Sequence, residues 1–198
     1  MPRSTINGTA IDLDGKEMIL DADQDTTITV DTDDQIDIKI AGSDKLVISS
    51  TSHLSTTTAG TSNLVLGVNA GNSILDGGNY NVALGDEAGT ALTTGDENTF
   101  VGYNSGAANT TGQRNVVVGA SAGDALVGGQ QNTAIGRTAL SADTEGQRSV
   151  AVGTGALQTQ NFSSATQVYN TAVGHSAGLS VTTGQQNTLI GGLAGDAL

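Results

Sequence analysis

From Asn63 onward the chain repeats one short pattern. A polar residue is followed by a β-branched or aliphatic one, a small or apolar one, an aliphatic one, and then glycine. The pattern first occurs as Asn63-Leu64-Val65-Leu66-Gly67. It returns at Asn81 to Gly85, Asn98 to Gly102, Asn115 to Gly119, Asn132 to Gly136, Ser149 to Gly153, Asn170 to Gly174 and Asn187 to Gly191. The start-to-start spacings are 18, 17, 17, 17, 17, 21 and 17 residues. Eight in-phase units of this length are the mark of a stacked repeat, in which no unit buries an apolar face alone. Short β-branched runs that end in glycine predict one strand per unit. The expected fold is all-β: a parallel β-roll or β-solenoid of 17-residue repeats over 63–198.

Individual columns of the repeat carry further expectations. Position 4 is Leu66, Leu84, Val101, Val118, Ile135, Val152, Val173 or Ile190. It is never polar, so it is predicted to point into the core. Position 5 is glycine in every unit (Gly67, Gly85, Gly102, Gly119, Gly136, Gly153, Gly174 and Gly191). Glycine there implies a positive φ or a close backbone approach. Position 8 is alanine except for Ser105, and position 9 is glycine except for Leu140 and Leu157. This small pair predicts tight packing against a neighbouring coil or chain. Position 15 reads as a closing turn at Gly77, Gly95, Gly112, Gly129, Gly146 and Gly184. Position 1 is Asn63, Asn81, Asn98, Asn115, Asn132, Asn170 or Asn187. These asparagines are read either as turn residues entering the strand or as a ladder of amides bonded from coil to coil.

Ahead of the repeat the pattern is different. Residues 1–48 hold eleven of the 20 acidic residues. Alternating apolar runs at Met18 to Leu20, Thr27 to Val30, Ile36 to Ile40 and Leu46 to Ile48 predict short strands. Residues 49–62, rich in Ser and Thr, read as a linker.

Composition narrows the picture. Aromatic residues make up only 3% of the chain, and glycine contributes 28 residues. A core without large side chains has to be thin. With one dependable large aliphatic per coil, a lone solenoid is poorly filled. Packing the Ala-Gly faces of several chains around an axis would supply the missing interior, and three chains are expected. The net charge of −13, with 7 Lys and Arg, argues against a nucleic-acid backbone as partner. No apolar run approaches the length of a membrane span, so no membrane insertion is expected. Zero cysteines exclude disulfides and thiolate metal sites. Met1 to Thr5 is not followed by the apolar stretch of a secretory signal.

The pattern Asn-x-x-Val-Gly-x-x-Ala-Gly over 63–198 resembles the head repeats of trimeric autotransporter adhesins. It looks still more like the same repeat in bacteriophage tail fibres. The resemblance implies a left-handed parallel β-roll with three chains joined in one shaft. The Thr-Thr-Gly turns at 93–95, 110–112 and 182–184 make these units longer than those of the adhesins. The stretch from Asp12 to Asp23 is similar to the acidic, strand-rich leaders of phage fibre proteins. Such a leader, with no export signal, favours the phage setting. The implied role is a virion shaft that projects a host-receptor-binding tip. Its expected partners are its own copies, other tail proteins and a host-surface glycan or protein. The alternative is the head of a bacterial surface adhesin. The last unit stops mid-repeat at Gly195 to Leu198, as expected of a chain whose tip lies beyond.

Candidate chemistry is sparse. Asp21, Asp23 and Asp25 have the alternate spacing of a calcium loop. Thr26 and Thr32 stand where that loop needs glycine and an acid, so solvated carboxylates are the expected reading. His53 and His175 have no nucleophile or second histidine in register with them. Asp86-Glu87 and Asp96-Glu97 pair carboxylates as glycosidases do, but at turn positions. No catalytic residue, cofactor or metal is therefore expected. The 21-residue unit carries Phe162 and Tyr169, two of five aromatics, and is the candidate contact loop. An ice-binding face would need an unbroken threonine column. Position 2 mixes Leu64, Val82, Thr99, Val116 and Thr133, which ranks that reading low.

Overall fold

The computed structural model describes residues 58–196 continuously, preceded by five separate strands. These are β1 (Met18–Ile19), β2 (Thr27–Val30), β3 (Ile36–Ile40), β4 (Ser43–Ile48) and β5 (Leu54–Ser55). They belong to a first compact unit, Met1–Thr57, and the repeat forms a second, Thr58–Leu198. In the first unit each strand pairs antiparallel with the next, in the order β1-β2-β3-β4-β5. The first four coincide with the apolar runs of the sequence. The fifth lies within the Ser/Thr-rich segment read as a linker. Asp21, Asp23, Asp25 and His53 lie outside the described residues.

The second unit is a parallel β-solenoid. Its rungs are β6 (Leu64–Leu66), β7 (Val82–Leu84), β8 (Thr99–Val101), β9 (Val116–Val118) and β10 (Thr133–Ile135), followed by β12 (Val150–Val152), β14 (Thr171–Val173) and β15 (Thr188–Ile190). They form one eight-stranded sheet in chain order. Every pairing joins equivalent positions, as in Leu64↔Val82 and Thr133↔Val150. The 21-residue unit keeps this register, with Val150↔Thr171. Its extra residues leave through a two-stranded side ladder of β11 (Gly146–Gln147) and β13 (Thr166–Gln167).

Three residues per rung are too few to hold a coil, so the turns carry the same coil-to-coil bonding. The position-9 N–H of Gly71, Gly89, Gly106 and Gly123 donates to the position-8 carbonyl one coil on, at 2.9–3.0 Å. The backbone polar groups of the turns are thereby paired although few lie in the sheet.

The interior is lined by positions 3, 8, 9 and 12, and the expectation for position 4 is overturned. Position 3 points inward: Ala83, Phe100, Val117, Ala134, Ala151 and Ala172 are fully buried. Position 4 points outward, with Leu66 51% and Ile190 71% exposed. Strand side chains alternate faces, and the buried asparagine at position 1 fixes the parity. The alanines of position 8 lie inside their own coil, so they cannot face a partner chain as expected.

The lumen is narrow, and each coil fills it by moving its bulk among these columns. Phe100 occupies the space left by Gly89 and Gly106, where an added Cβ would lie 2.7 and 2.5 Å from its ring. Elsewhere the bulk comes from Ile74, Leu92, Leu126 or Val181 at position 12. In two coils it comes from Leu140 and Leu157 at position 9, and there position 12 is polar (Asp143 and Gln160).

Handed turns recur in every coil. Position 5 glycines have φ of 123–146°, and an added Cβ at Gly119 would sit 2.7 Å from the backbone of Gly136. That combination admits only glycine. The last residue of each complete unit is left-handed without glycine, at Tyr80, Glu97, Arg114, Gln131, Arg148, Tyr169 and Gln186, with φ of 57–64°. The closing-turn glycine of the first unit is Gly78, not Gly77. Asn63 Nδ2 donates to the Gly78 carbonyl at 2.8 Å, as Asn81 does to Gly95 at 2.9 Å. The extra residue of that 18-residue unit is accommodated before Gly78.

Candidate functional site

Two features of the solenoid can do work: a polar spine inside it and an apolar face outside it. The spine is the asparagine column, and the ladder reading is the one observed. Each side-chain oxygen accepts the backbone N–H of the next position 1, at 2.8–3.0 Å from Asn63 through Asn132. From Asn63 through Asn170, each Nδ2 donates to the closing-turn glycine carbonyl of its own coil at 2.6–2.9 Å. Side-chain to side-chain bonds of 3.1–3.2 Å join Asn63, Asn81, Asn98 and Asn115, and again Asn170 and Asn187. The ladder ties three parts of the coil together at a corner where no water reaches.

Ser149 interrupts this spine, and Gln160 repairs it. The fully buried Gln160 donates from Nε2 to Ser149 Oγ at 3.0 Å and to Asp143 Oδ2 at 2.6 Å. Its Oε1 accepts Asn170 Nδ2 at 2.8 Å. Asp143 Oδ1 accepts the N–H of Gly146 and of Phe162, both at 3.0 Å. Phe162 is buried, not presented to a partner. Its backbone is needed at the carboxylate, and this draws the ring inward. Tyr169 is exposed, but Arg148 stacks on its ring at 5.5 Å and also donates to its hydroxyl. The exposed residues of the inserted segment are therefore Asn161, Ser163, Ser164, Ala165 and Gln167, with Tyr169 beside them. No local pattern at Phe162 marks it as buried. The clue lies a coil earlier, in a carboxylate at a position that is aliphatic in four other coils.

The outer face consists of positions 2 and 4. Its columns run Leu64, Val82, Thr99, Val116, Thr133, Val150, Thr171, Thr188 and Leu66, Leu84, Val101, Val118, Ile135, Val152, Val173, Ile190. All sixteen are half-buried or exposed, and none is charged.

The remaining candidates are absorbed by coil-to-coil bonding. Asp86 accepts the Val68 N–H at 3.1 Å, and Glu87 accepts Asn69 Nδ2 at 2.7 Å. Asp96 accepts the Asn79 N–H at 2.7 Å, and Glu97 pairs with Arg114 Nε at 2.8 Å. That hydrogen bond, with the carboxylate charge, raises the Arg114 pKa. Partial burial raises the Asp124 pKa from its ordinary value, against opposing hydrogen bonds from the backbone, Asn104 and Ser121. His175 is exposed at position 6. Among the described residues no three His, Cys, Asp or Glu side chains could share a metal ion, and no helix is long and apolar enough to cross a membrane. Comparison of the chain with protein families, with curated proteins and with solved structures finds no match in any of the three.

Proposed function

We propose that this chain is the shaft of a homotrimeric fibre, a structural part of a bacteriophage tail fibre that holds a receptor-binding tip away from the particle. The observation that carries the reading is the outer sheet face. Two parallel columns of Val, Leu, Ile and Thr run the length of the stack without a charge. Soluble surfaces intersperse charges to prevent association, and a continuous uncharged sheet face marks an interface. This face replaces the Ala-Gly faces expected from sequence as the surface at which the copies meet. The virion setting rests on the repeat's resemblance to tail-fibre repeats and on the acidic leader.

Size-exclusion chromatography with light scattering is the test, and a mass of three copies is expected. Val118→Glu should lower it to one copy while the β-sheet circular dichroism is kept, because Val118 does not face the lumen. A folded monomer for the unmutated chain would overturn the proposal. Immunogold labelling separates the two settings: label on phage tails supports the virion, and label confined to a bacterial envelope selects the adhesin alternative.

A further inference from the structure

A stack of near-identical coils has a recognition problem. The coils that begin at Asn63, Asn81, Asn115 and Asn170 all offer asparagine at position 1, glycine at positions 5 and 9 and an aliphatic at position 12. Any of them could stack on another with the same ladder bonds. Nothing in those bonds says which coil comes next.

The coils that begin at Asn132 and Ser149 depart from the repeat in four ways at once. They have Leu140 and Leu157 for glycine, Asp143 and Gln160 for an aliphatic, Ser149 for asparagine, and the four-residue insertion. Three of these departures form one bonded cluster. Gln160 joins Asp143, Ser149 and Asn170, and the inserted segment brings the Phe162 N–H to Asp143. The leucines supply the bulk that a polar position 12 gives up. Asp143, Ser149, Gln160 and Asn170 are all fully buried.

We propose that this inlay is a register key, which makes the 149–169 coil recognise the 132–148 coil and reject any other. If the 149–169 coil docked instead on the coil begun at Asn115, Gln160 would face Leu126 in place of Asp143. Gln160 Nε2 would keep Ser149 Oγ but lose Asp143 Oδ2, and the Phe162 N–H would lose Asp143 Oδ1. The apolar Leu126 cannot replace either bond in a buried place, the costly case for polar groups. A uniform coil would incur no such loss. Buried polar groups set register in other packed repeats by the same asymmetry. The key acts during folding, when coils meet before the full stack exists.

The chain contains no cysteine, so engineered pairs report stacking directly. Val116, Thr133 and Val150 are successive position-2 partners on the outer face. Thr133→Cys with Val150→Cys reports the correct stack. Val116→Cys with Val150→Cys reports a skipped coil, because two rungs are about 9.6 Å apart and beyond disulfide reach in the native fold. The full chain is refolded from denaturant under oxidation, and intrachain disulfides are counted by mass. The comparison is with a uniform variant carrying Leu140→Gly, Asp143→Leu, Ser149→Asn, Leu157→Gly and Gln160→Leu. We expect at least tenfold more of the 116–150 disulfide in the uniform variant. Equal yields in the two backgrounds would overturn the proposal. If the uniform variant fails to form the 133–150 disulfide, the same comparison is decided by Gln160→Leu alone.

Discussion

Asn115→Ala tests the spine where it is fully buried. Asn115 Nδ2 donates to Asn98 Oδ1 at 3.1 Å and to the Gly129 carbonyl at 2.8 Å, and its Oδ1 accepts the Asn132 N–H at 3.0 Å. Alanine removes all three bonds. Asn98 Oδ1 keeps the Asn115 backbone N–H at 3.0 Å. The Gly129 carbonyl and the Asn132 N–H lose these partners where Asn115 itself is fully buried. Each orphaned group costs about 1–3 kcal/mol, so the loss should be about 3–5 kcal/mol with the cavity included. Val127→Ala, 36% exposed and outside the two outer columns, is the control and should cost under about 1 kcal/mol. The assay is urea unfolding followed by circular dichroism, with both variants at the same protein concentration. Equal losses in the two variants would refute the reasoning, because they would mean that the ladder contributes no more than a surface methyl group.

Gly119→Ala should cost several kcal/mol, or prevent folding, through its φ of 135° and the 2.7 Å approach to Gly136. Gly128→Ala should be nearly neutral by the same measurement, since its Cβ meets only the movable end of Glu145. Asn109 is buried with neither side-chain polar atom bonded, and Phe100 already fills the lumen of its coil, so Asn109→Ala should cost under about 1 kcal/mol, far less than Asn115→Ala, as read from the urea midpoint. Asp124 has a raised folded pKa, so its contribution to stability is present below the ordinary carboxylate range and lost as pH rises through the folded value. Asp124→Asn should therefore raise the melting temperature at pH 7 and leave it unchanged near pH 3. A pH-independent gain would contradict that assignment.

The repeat, its length, the parallel stacking and the glycine column were all legible, because each leaves a residue type at a fixed spacing. Which face points inward was not. A reading by size puts the largest aliphatics inside, and here the lumen admits about one large side chain per coil. Ala134 is therefore inside and Ile135 outside. Parity could have corrected this. Once position 1 is taken as a buried ladder, position 3 shares its face and position 4 cannot. Phe162 was illegible for a different reason. Its place is set by a backbone bond to Asp143, nineteen residues earlier, and spacing within one unit carries no trace of it.

The inversion of positions 3 and 4 also bears on assembly. A thin lumen leaves the chain's aliphatic bulk on the outside, where only association can remove it from water. Eight rungs at about 4.8 Å and strands about 10 Å long give a strip of about 340 Å², worth about 8 kcal/mol of burial per copy. That area is ordinary for the largest apolar patch of a monomer, so area alone does not argue for association. The pattern does, because the strip is continuous from rung to rung and free of charge from Leu64 to Ile190. Two chains facing each other would bury only that strip, well short of the roughly 800 Å² per partner of a stable interface. Three chains around an axis would bring each strip to the centre and set the flanking columns against neighbours as well. Those columns hold Tyr103 and Arg137 at position 6, and Glu97, Arg114 and Arg148 at position 17. A trimer, as proposed, would therefore cover the apolar strip and place these charged and aromatic residues at its rim.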